Sequence, residues 1–351
     1  MQSEILKLYG FTDDSLVIKS FGSGLINHTW KVTYKGDDYI LQRINDNVFK
    51  HPAYITNNIS LIAEHLKKHF PEYLFVAPVK TIAGEEMVYL KDDGYFRMFP
   101  FVKGSHAKDV VETAEEAYEA APQFGRFTKL PNALPADDLK ISIPDFHNLS
   151  LRFQQFLSAL SNGNPDRIKE TRGLATELLS HANIVTEYKK ILTNKDFKKR
   201  VTHHDTKISN VLFDKTNKGI CVIDLDTVMP GYFISDVGDM MRTYLAPVSE
   251  EEKDFSKIII RENFYDAIVN GYFNEMKDVL SETERDYFFY AGTYMIYMQA
   301  IRFFTDYLND DVYYGAKYPG HNLVRAGNQA ILLEKLLDKK YVLTGILKQK
   351  N

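Results

Sequence analysis

Short strand-like runs with one helix fill the first hundred positions, and long amphipathic helical segments take over beyond Gly104; this switch constrains the fold more than any other feature of the chain. Trp30, Val32 and Tyr34 alternate with Lys31, Thr33 and Lys35, the period of two expected of a half-buried strand. The turn Lys35-Gly-Asp-Asp38 leads into Tyr39-Ile-Leu-Gln-Arg-Ile44, so the two runs predict a hairpin. Ile55, Ile59, Ile62 and Leu66 then recur at helical spacing, and apolar runs near 75–81, 86–90 and 95–102 predict further strands. Amphipathic segments follow at 113–128, 149–160, 171–190, 255–276 and 282–307. One exception interrupts them: Val211-Leu-Phe213 and Ile220-Cys-Val-Ile223 flank the turn Lys215-Thr-Asn-Lys-Gly219, a second hairpin.

The expected architecture is α+β and bilobal. A small antiparallel-sheet lobe covers 1–102, a larger and mainly helical lobe covers 103–351, and they join near Phe99-Pro-Phe-Val102. A length of 351 residues suits two such lobes, and a ligand cleft is expected between them. Composition narrows the function. The net charge is -4 with Lys and Arg scattered, unlike the concentrated basic face of a nucleic-acid binder, so no nucleic-acid partner is expected. The start Met1-Gln-Ser-Glu-Ile-Leu lacks the character of a signal peptide, and no run approaches the length of a membrane span, so a cytoplasmic protein without a membrane partner is expected. Cys221 is the only cysteine, which excludes an intrachain disulfide and a cysteine-rich zinc site; within Ile220-Cys-Val-Ile223 it reads as a buried hydrophobe.

Val201-Thr-His-His-Asp-Thr-Lys-Ile-Ser-Asn210 carries the densest group of polar side chains. Adjacent His203 and His204 point to opposite faces of an extended backbone, which argues against a shared metal. The spacing His203-x-Asp205-x-x-x-x-Asn210, followed one hairpin later by Ile223-Asp224, fits phosphoryl transfer instead. That chemistry needs an aspartate to orient the acceptor hydroxyl and take its proton, and an asparagine with a second aspartate to hold Mg²⁺ on the nucleotide phosphates. It also needs a glycine-rich turn between two early strands. Phe21-Gly-Ser-Gly-Leu-Ile-Asn27 supplies one, with Gly22, Ser23 and Gly24 where backbone approaches phosphate closely.

On these residues the chain resembles the aminoglycoside phosphotransferase superfamily, small-molecule kinases with a protein-kinase-like fold. Within it the likeness is to bacterial N-acetylhexosamine 1-kinases. Tyr39-Ile-Leu-Gln42, Arg200-Val-Thr-His-His-Asp-Thr-Lys207, Ile223-Asp-Leu-Asp-Thr-Val-Met-Pro-Gly231, Asp236-Val-Gly-Asp239 and Lys317-Tyr-Pro-Gly-His-Asn-Leu-Val-Arg325 carry it. The resemblance implies ATP and Mg²⁺ as cofactors, a sugar acceptor, Asp205 as catalytic base and Asn210 and Asp224 as metal ligands. It also implies sugar contacts from Arg302 and Tyr313, although Arg302 on an amphipathic helix also suits a surface or interhelical salt bridge. Phe101 and Val102 are expected to offer backbone to the adenine, since Pro100 has no N–H. His203, Asp236 and Asp239 read as supports, because a buried carboxylate can accept several backbone N–H groups.

The chain departs from the protein-kinase pattern at two places. Gln42 stands where the third strand carries a phosphate-binding lysine, which leaves the α and β phosphate contacts unassigned and motivates a rival reading as a nucleotide-binding pseudokinase. Asn27 replaces a third glycine; it and His28 either reach the sugar or tie up the turn. A second rival keeps the fold and changes the acceptor to an aminoglycoside, choline, homoserine or another sugar, with Asp306, Asp310 and Asp311 as the residues that favour a cation.

Overall fold

The computed structural model describes residues 2–12, 15–22 and 26–348. The chain forms two compact units, and the first gathers Met1–Ala107, Leu130–Pro144 and Asn210–Pro230. Its strands are β1 (Val17–Ser20), β2 (His28–Tyr34), β3 (Asp37–Ile44), β4 (Val88–Leu90) and β5 (Gly94–Pro100), in the order β1-β2-β3-β5-β4 and antiparallel throughout. The β2–β3 hairpin closes on two residues, with φ of 51° at Lys35 and 87° at Gly36, the left-handed pair that matches strand twist. Helix α1 (Gln2–Leu8) contributes Ile5 and Leu6 to a core shared with Phe11, Val32, Leu41, Phe96 and Met98. The apolar run at 75–81 does not form a strand: Pro78 lacks a donor and restrains Ala77, and Val79 reaches the sheet by donating to Met98 O at 2.7 Å. The second hairpin forms as expected from β7 (Val211–Phe213) and β8 (Gly219–Val222), with Cys221 fully buried opposite Leu212. Helix α2 (Pro52–His69) packs on the segment Leu225–Thr227.

The second unit comprises Lys108–Lys129, Asp145–Ser209 and Gly231–Asn351. It holds α3 (Ala114–Lys129), α4 (Leu149–Asn162), α5 (Pro165–Glu170), α6 (Arg172–Ser180), α7 (Asn183–Thr193), the short β6 (Arg200–Thr202), α8 (Phe233–Tyr244), α9 (Glu262–Met276), α10 (Glu282–Arg285), α11 (Phe288–Leu308), α12 (His321–Asp338) and α13 (Lys340–Lys348). Three expected helices are shorter than their apolar patterns. The 171–190 segment breaks at His181, whose N–H closes the last turn of α6 on Leu178 O and Leu179 O. The 255–276 segment starts with a separate turn, and Arg261 holds the chain before α9 by donating to the carbonyls of Val111, Tyr244 and Ala246. The 282–307 segment divides into α10, opened by a Ser281–Glu284 capping box, and α11. Helix α11 is buried on nearly every face and packs against α4, α8 and α12. A Cβ at Gly238 would lie 2.3 Å from Ala291 O, so the approach of α8 to α11 requires glycine there. Among the described residues no helix is long and apolar enough to cross a membrane.

Candidate active site

Strand β6 delivers the polar loop, and α8 shapes it. Asp236 in the first turn of α8 accepts the backbone N–H groups of His203 at 3.0 Å and His204 at 2.7 Å. Asp239, one turn later on the same face, accepts the N–H of Thr206 at 2.8 Å. Thr206 Oγ1 donates to Asp236 O at 2.7 Å, and Tyr244 donates its hydroxyl to Thr206 O at 2.8 Å. The loop is therefore tied by its main chain, and Asp205 stands half-buried between two anchored residues. His203 is fully buried with its ring edge-on to Phe124 and Phe127 at 5.2 and 5.7 Å. His204 adopts φ of 68°, and a Cβ at Gly231 would meet its Nε2 at 2.4 Å. Lys207 Nζ lies 3.2 Å from Asp205 Oδ1.

Burial pushes the Asp236 carboxyl up to about 7, against the downward pull of its two backbone N–H partners. Burial also raises Asp239, and Arg242 opposes it from 3.0 Å (Nε) and 2.9 Å (Nη2). Burial alone would lower Lys207, but Asp205 and Asp239 outweigh it and the ammonium is stabilised. Arg242 continues through Nη1 to Glu250 at 2.7 Å, and Glu250 also pairs with Arg325, so an ionic chain runs from the loop supports into α12.

Arg302 on α11 donates to Gln299 Oε1 at 2.9 Å and faces the rings of Phe146 and Tyr314 at 5.7 and 5.5 Å. Arg152 on α4 donates to Gln155 Oε1 and Asp145 O, both at 3.1 Å, and leaves Nε buried without a partner. Arg302 and Arg152 are close enough to depress the latter's pKa after burial has done so. Neither forms an ion pair among the described residues, so the salt bridge considered for Arg302 is not made. The same neighbourhood holds His147, which burial and the nearby cations keep neutral and whose Nδ1 has no partner. Tyr313 is 67% exposed, and its N–H and that of Tyr314 are accepted by Asp306 at 2.7 and 2.9 Å. The three aspartates that favoured a cation have other partners: Asp306 also accepts from Asn322, Asp311 pairs with Arg167 at 2.7 Å, and Asp310 accepts from Asn164 at 2.9 Å.

In the first unit, Ile223 donates its N–H to Asn210 O at 2.9 Å, which ties the residue before Asp224 to Asn210 by main chain. Asp224 is exposed in the left-handed region (φ 60°, ψ 62°) at the start of the turn Leu225–Thr227. Asp226, two residues on, is instead buried: one oxygen pairs with Arg97 and the other accepts from Asn27 Nδ2 at 2.7 Å. Asn27 Oδ1 accepts the N–H of Asn45 at 3.0 Å, so its amide ties up the turn. His28 opens β2 and is exposed. Gln42 Oε1 accepts from Arg97 Nη2 at 2.9 Å, and Gln42 Nε2 donates to Thr29 Oγ1 at 3.4 Å. Gly22 has φ of 79°, and Phe21 closes the turn by donating to Thr29 O at 3.0 Å; Ser23 and Gly24 lie outside the described residues. Phe101 donates its N–H to Asp38 O at 3.1 Å. Asn58 on α2 is fully buried and donates to Lys140 O and Val228 O at 2.8 and 2.9 Å.

Sequence reasoning did not single out Arg97, Asp226, Asn58, Arg152 or Glu250 as site residues. The signal for Arg97 was its place opposite Gln42 on the neighbouring strand, visible once register is known. No group of three or more His, Cys, Asp or Glu suited to a metal occurs among the described residues. An amide oxygen from Asn210 and a carboxylate from Asp224 nevertheless suit Mg²⁺, which takes few protein oxygens and completes its shell with water and phosphate.

Residues 17–282 match the APH phosphotransferase enzyme family. Three solved structures share the fold along nearly the whole chain. An aminoglycoside phosphotransferase from Alicyclobacillus acidocaldarius is 14% identical, with 98% of this chain and 96% of that one covered and a TM-score of 0.65. A microcompartment-associated aminopropanol kinase is 13% identical over 98% of both chains, with a TM-score of 0.67. A choline kinase from Cryptosporidium parvum is 13% identical over 96% and 93%, with a TM-score of 0.58. The small antiparallel sheet with a larger helical part is thus the kinase-like fold of these phosphotransferases. The chain belongs to the phosphotransferase enzyme family, and it shares its fold with the three structures named above.

Proposed function

We propose that the protein transfers the γ-phosphoryl group of ATP to the anomeric hydroxyl of an N-acetylhexosamine, giving the 1-phosphate. Asp205 orients that hydroxyl and accepts its proton as the oxygen attacks phosphorus, which is the base role of the catalytic loop. Asn210 and Asp224 hold Mg²⁺, which neutralises charge on the phosphates. Gly22 and the turn around it cover the phosphates, and Val102 offers its N–H to adenine, since that of Phe101 already serves Asp38.

The observation that carries the acceptor choice is the pair Arg152 and Arg302, neither of them ion-paired among the described residues, beside Phe146, Tyr314 and neutral His147. Guanidinium donors suit hydroxyl and carbonyl oxygens of a neutral acceptor and repel an ammonium. The aspartates that would attract an ammonium are bonded to backbone, asparagine or arginine. Supply of ATP and Mg²⁺ with N-acetylglucosamine, N-acetylgalactosamine, glucose, galactose, choline, homoserine and kanamycin in turn, with products read by phosphorus NMR, tests this reading. A 1-phosphate from the N-acetyl sugars is expected. Phosphorylation of choline or kanamycin in preference to any sugar overturns the acceptor assignment, and ATP binding without transfer to any member favours the pseudokinase.

A further inference from the structure

The third strand of this chain lacks the cation that protein kinases use on their phosphates, because Gln42 is neutral. A cation stands one strand away: Arg97 on β5 is the register partner of Gln42 on β3 and is 2% exposed. Its guanidinium donates through Nε at 3.2 Å and Nη2 at 2.9 Å to Gln42 Oε1, and Nη2 also pairs with Asp226. Nη1 is buried without a partner.

We infer that the Arg97–Asp226 pair is the charge pair that fixes the metal-binding segment of this chain, with Arg97 as a positioning residue. This rests on the kinase reading above. Asp226 lies two residues after Asp224, and the turn between them is short, so clamping the Asp226 carboxylate sets the backbone from which Asp224 projects. Arg97 of β5 and Asn27, just before β2, meet on that carboxylate, and Gln42 of β3 holds the Arg97 guanidinium in turn. Asn58 holds the far end of the same segment at Val228 O. Arg97 and Asn27 together occupy both oxygens of Asp226, which is buried, while Asp224 is presented at the surface. Gln42, on this account, is an acceptor for Arg97 and has no direct phosphate contact.

A buried pair can be merely structural, and its replacement by neutral groups of similar shape is often tolerated by the fold. The test therefore uses Arg97→Lys, Arg97→Gln, Asp226→Asn and the double variant R97Q/D226N in the full chain. Melting temperature reads folding, calorimetry with Mn²⁺ and ADP reads metal–nucleotide binding without turnover, and metal titration of activity reads the working site. The double variant is expected to melt within a few degrees of wild type yet to bind Mn²⁺–ADP at least about tenfold more weakly. Arg97→Lys should retain more of that affinity than Arg97→Gln, with kcat falling more than the KM for ATP rises. Wild-type Mn²⁺–ADP affinity in a folded R97Q/D226N overturns the inference and leaves the kinase reading intact. Failure of the wild type itself to bind Mn²⁺–ADP overturns both.

Discussion

The two carboxylate oxygens of Asp236 each accept a main-chain N–H of the polar loop, His203 at 3.0 Å and His204 at 2.7 Å. An asparagine can offer only one acceptor there and would turn its NH₂ toward the other N–H. Asp236→Asn is expected to cost about 1–3 kcal/mol of stability, the penalty of an unmet buried donor. The titration adds a sign. With a pKa near 7 in the fold against 3.8 ordinarily, Asp236 binds a proton between those values that the unfolded chain has released. Wild-type stability should therefore fall, relative to D236N, as pH rises from about 4 to 7, and run parallel to it above and below that window. Urea denaturation of both proteins across this range checks it, and a pH-independent difference refutes the buried titration.

Asp205 occupies the one position in this loop that the supports leave half-buried while both neighbours are fixed. Asp205→Asn keeps shape and removes the base, so kcat should fall about 10²- to 10⁴-fold with ATP binding retained. Stopped assays for sugar phosphate alongside nucleotide calorimetry separate the two. Undiminished turnover in the variant contradicts the role assigned to Asp205.

What sequence could disclose follows from how local each feature is. The α+β division was legible because the period changes from two to 3.6 near Gly104, and hairpin turns such as Lys35-Gly36 carry their own signal. The spacing His203-x-Asp205-x-x-x-x-Asn210 was legible for the same reason. Partnerships across long stretches of chain were not legible. Arg97 and Asp226 are 129 residues apart, and Asn58 and Val228 are 170 apart, so neither pair leaves a pattern in any window. Arg152 and Arg302 look like ordinary surface residues of amphipathic helices until their surroundings show that neither is ion-paired among the described residues.

Glu284 is fully buried and accepts from Arg200 Nη1 at 2.7 Å, Arg200 Nη2 at 2.9 Å and the N–H of Lys198 at 3.0 Å, just before β6. Removal of the carboxylate leaves a buried guanidinium without its counter-charge at the root of the polar loop. Glu284→Ala should destabilise by about 3–5 kcal/mol. Chemical denaturation measures this, and a loss below about 1 kcal/mol would show that Arg200 finds sufficient compensation elsewhere, with Val279 O, at 2.6 Å from its Nη2, the nearest candidate.

Gly231 faces the ring of His204, and its added methyl would lie 2.4 Å from Nε2 and 2.7 Å from Cε1. His204 is buried with Nδ1 3.1 Å from Thr202 O, so the ring has little room to yield without moving the residue before Asp205. Gly231→Ala is expected to cost about 1–3 kcal/mol from overpacking and to lower kcat more than it raises either KM. A variant of wild-type kcat and stability would show that the ring can swing aside.

The charge of the acceptor is the sharpest discriminator for the residues around Arg302. Its guanidinium has Gln299 as a hydrogen-bond partner and two aromatic rings beside it. If it donates to the acceptor, Arg302→Ala should lower kcat/KM for the sugar by about 10- to 100-fold, equivalent to about 1.5–3 kcal/mol for a charged hydrogen bond. The KM for ATP should stay as it is. Reversal of the sign is more telling: Arg302→Glu places an anion beside Phe146 and Tyr314, an arrangement that suits an ammonium group. The variant should lose sugar phosphorylation and gain measurable binding of choline or kanamycin, read by calorimetry. Undisturbed sugar kinetics in both variants would remove Arg302 from the acceptor site and leave Arg152 as the residue to test.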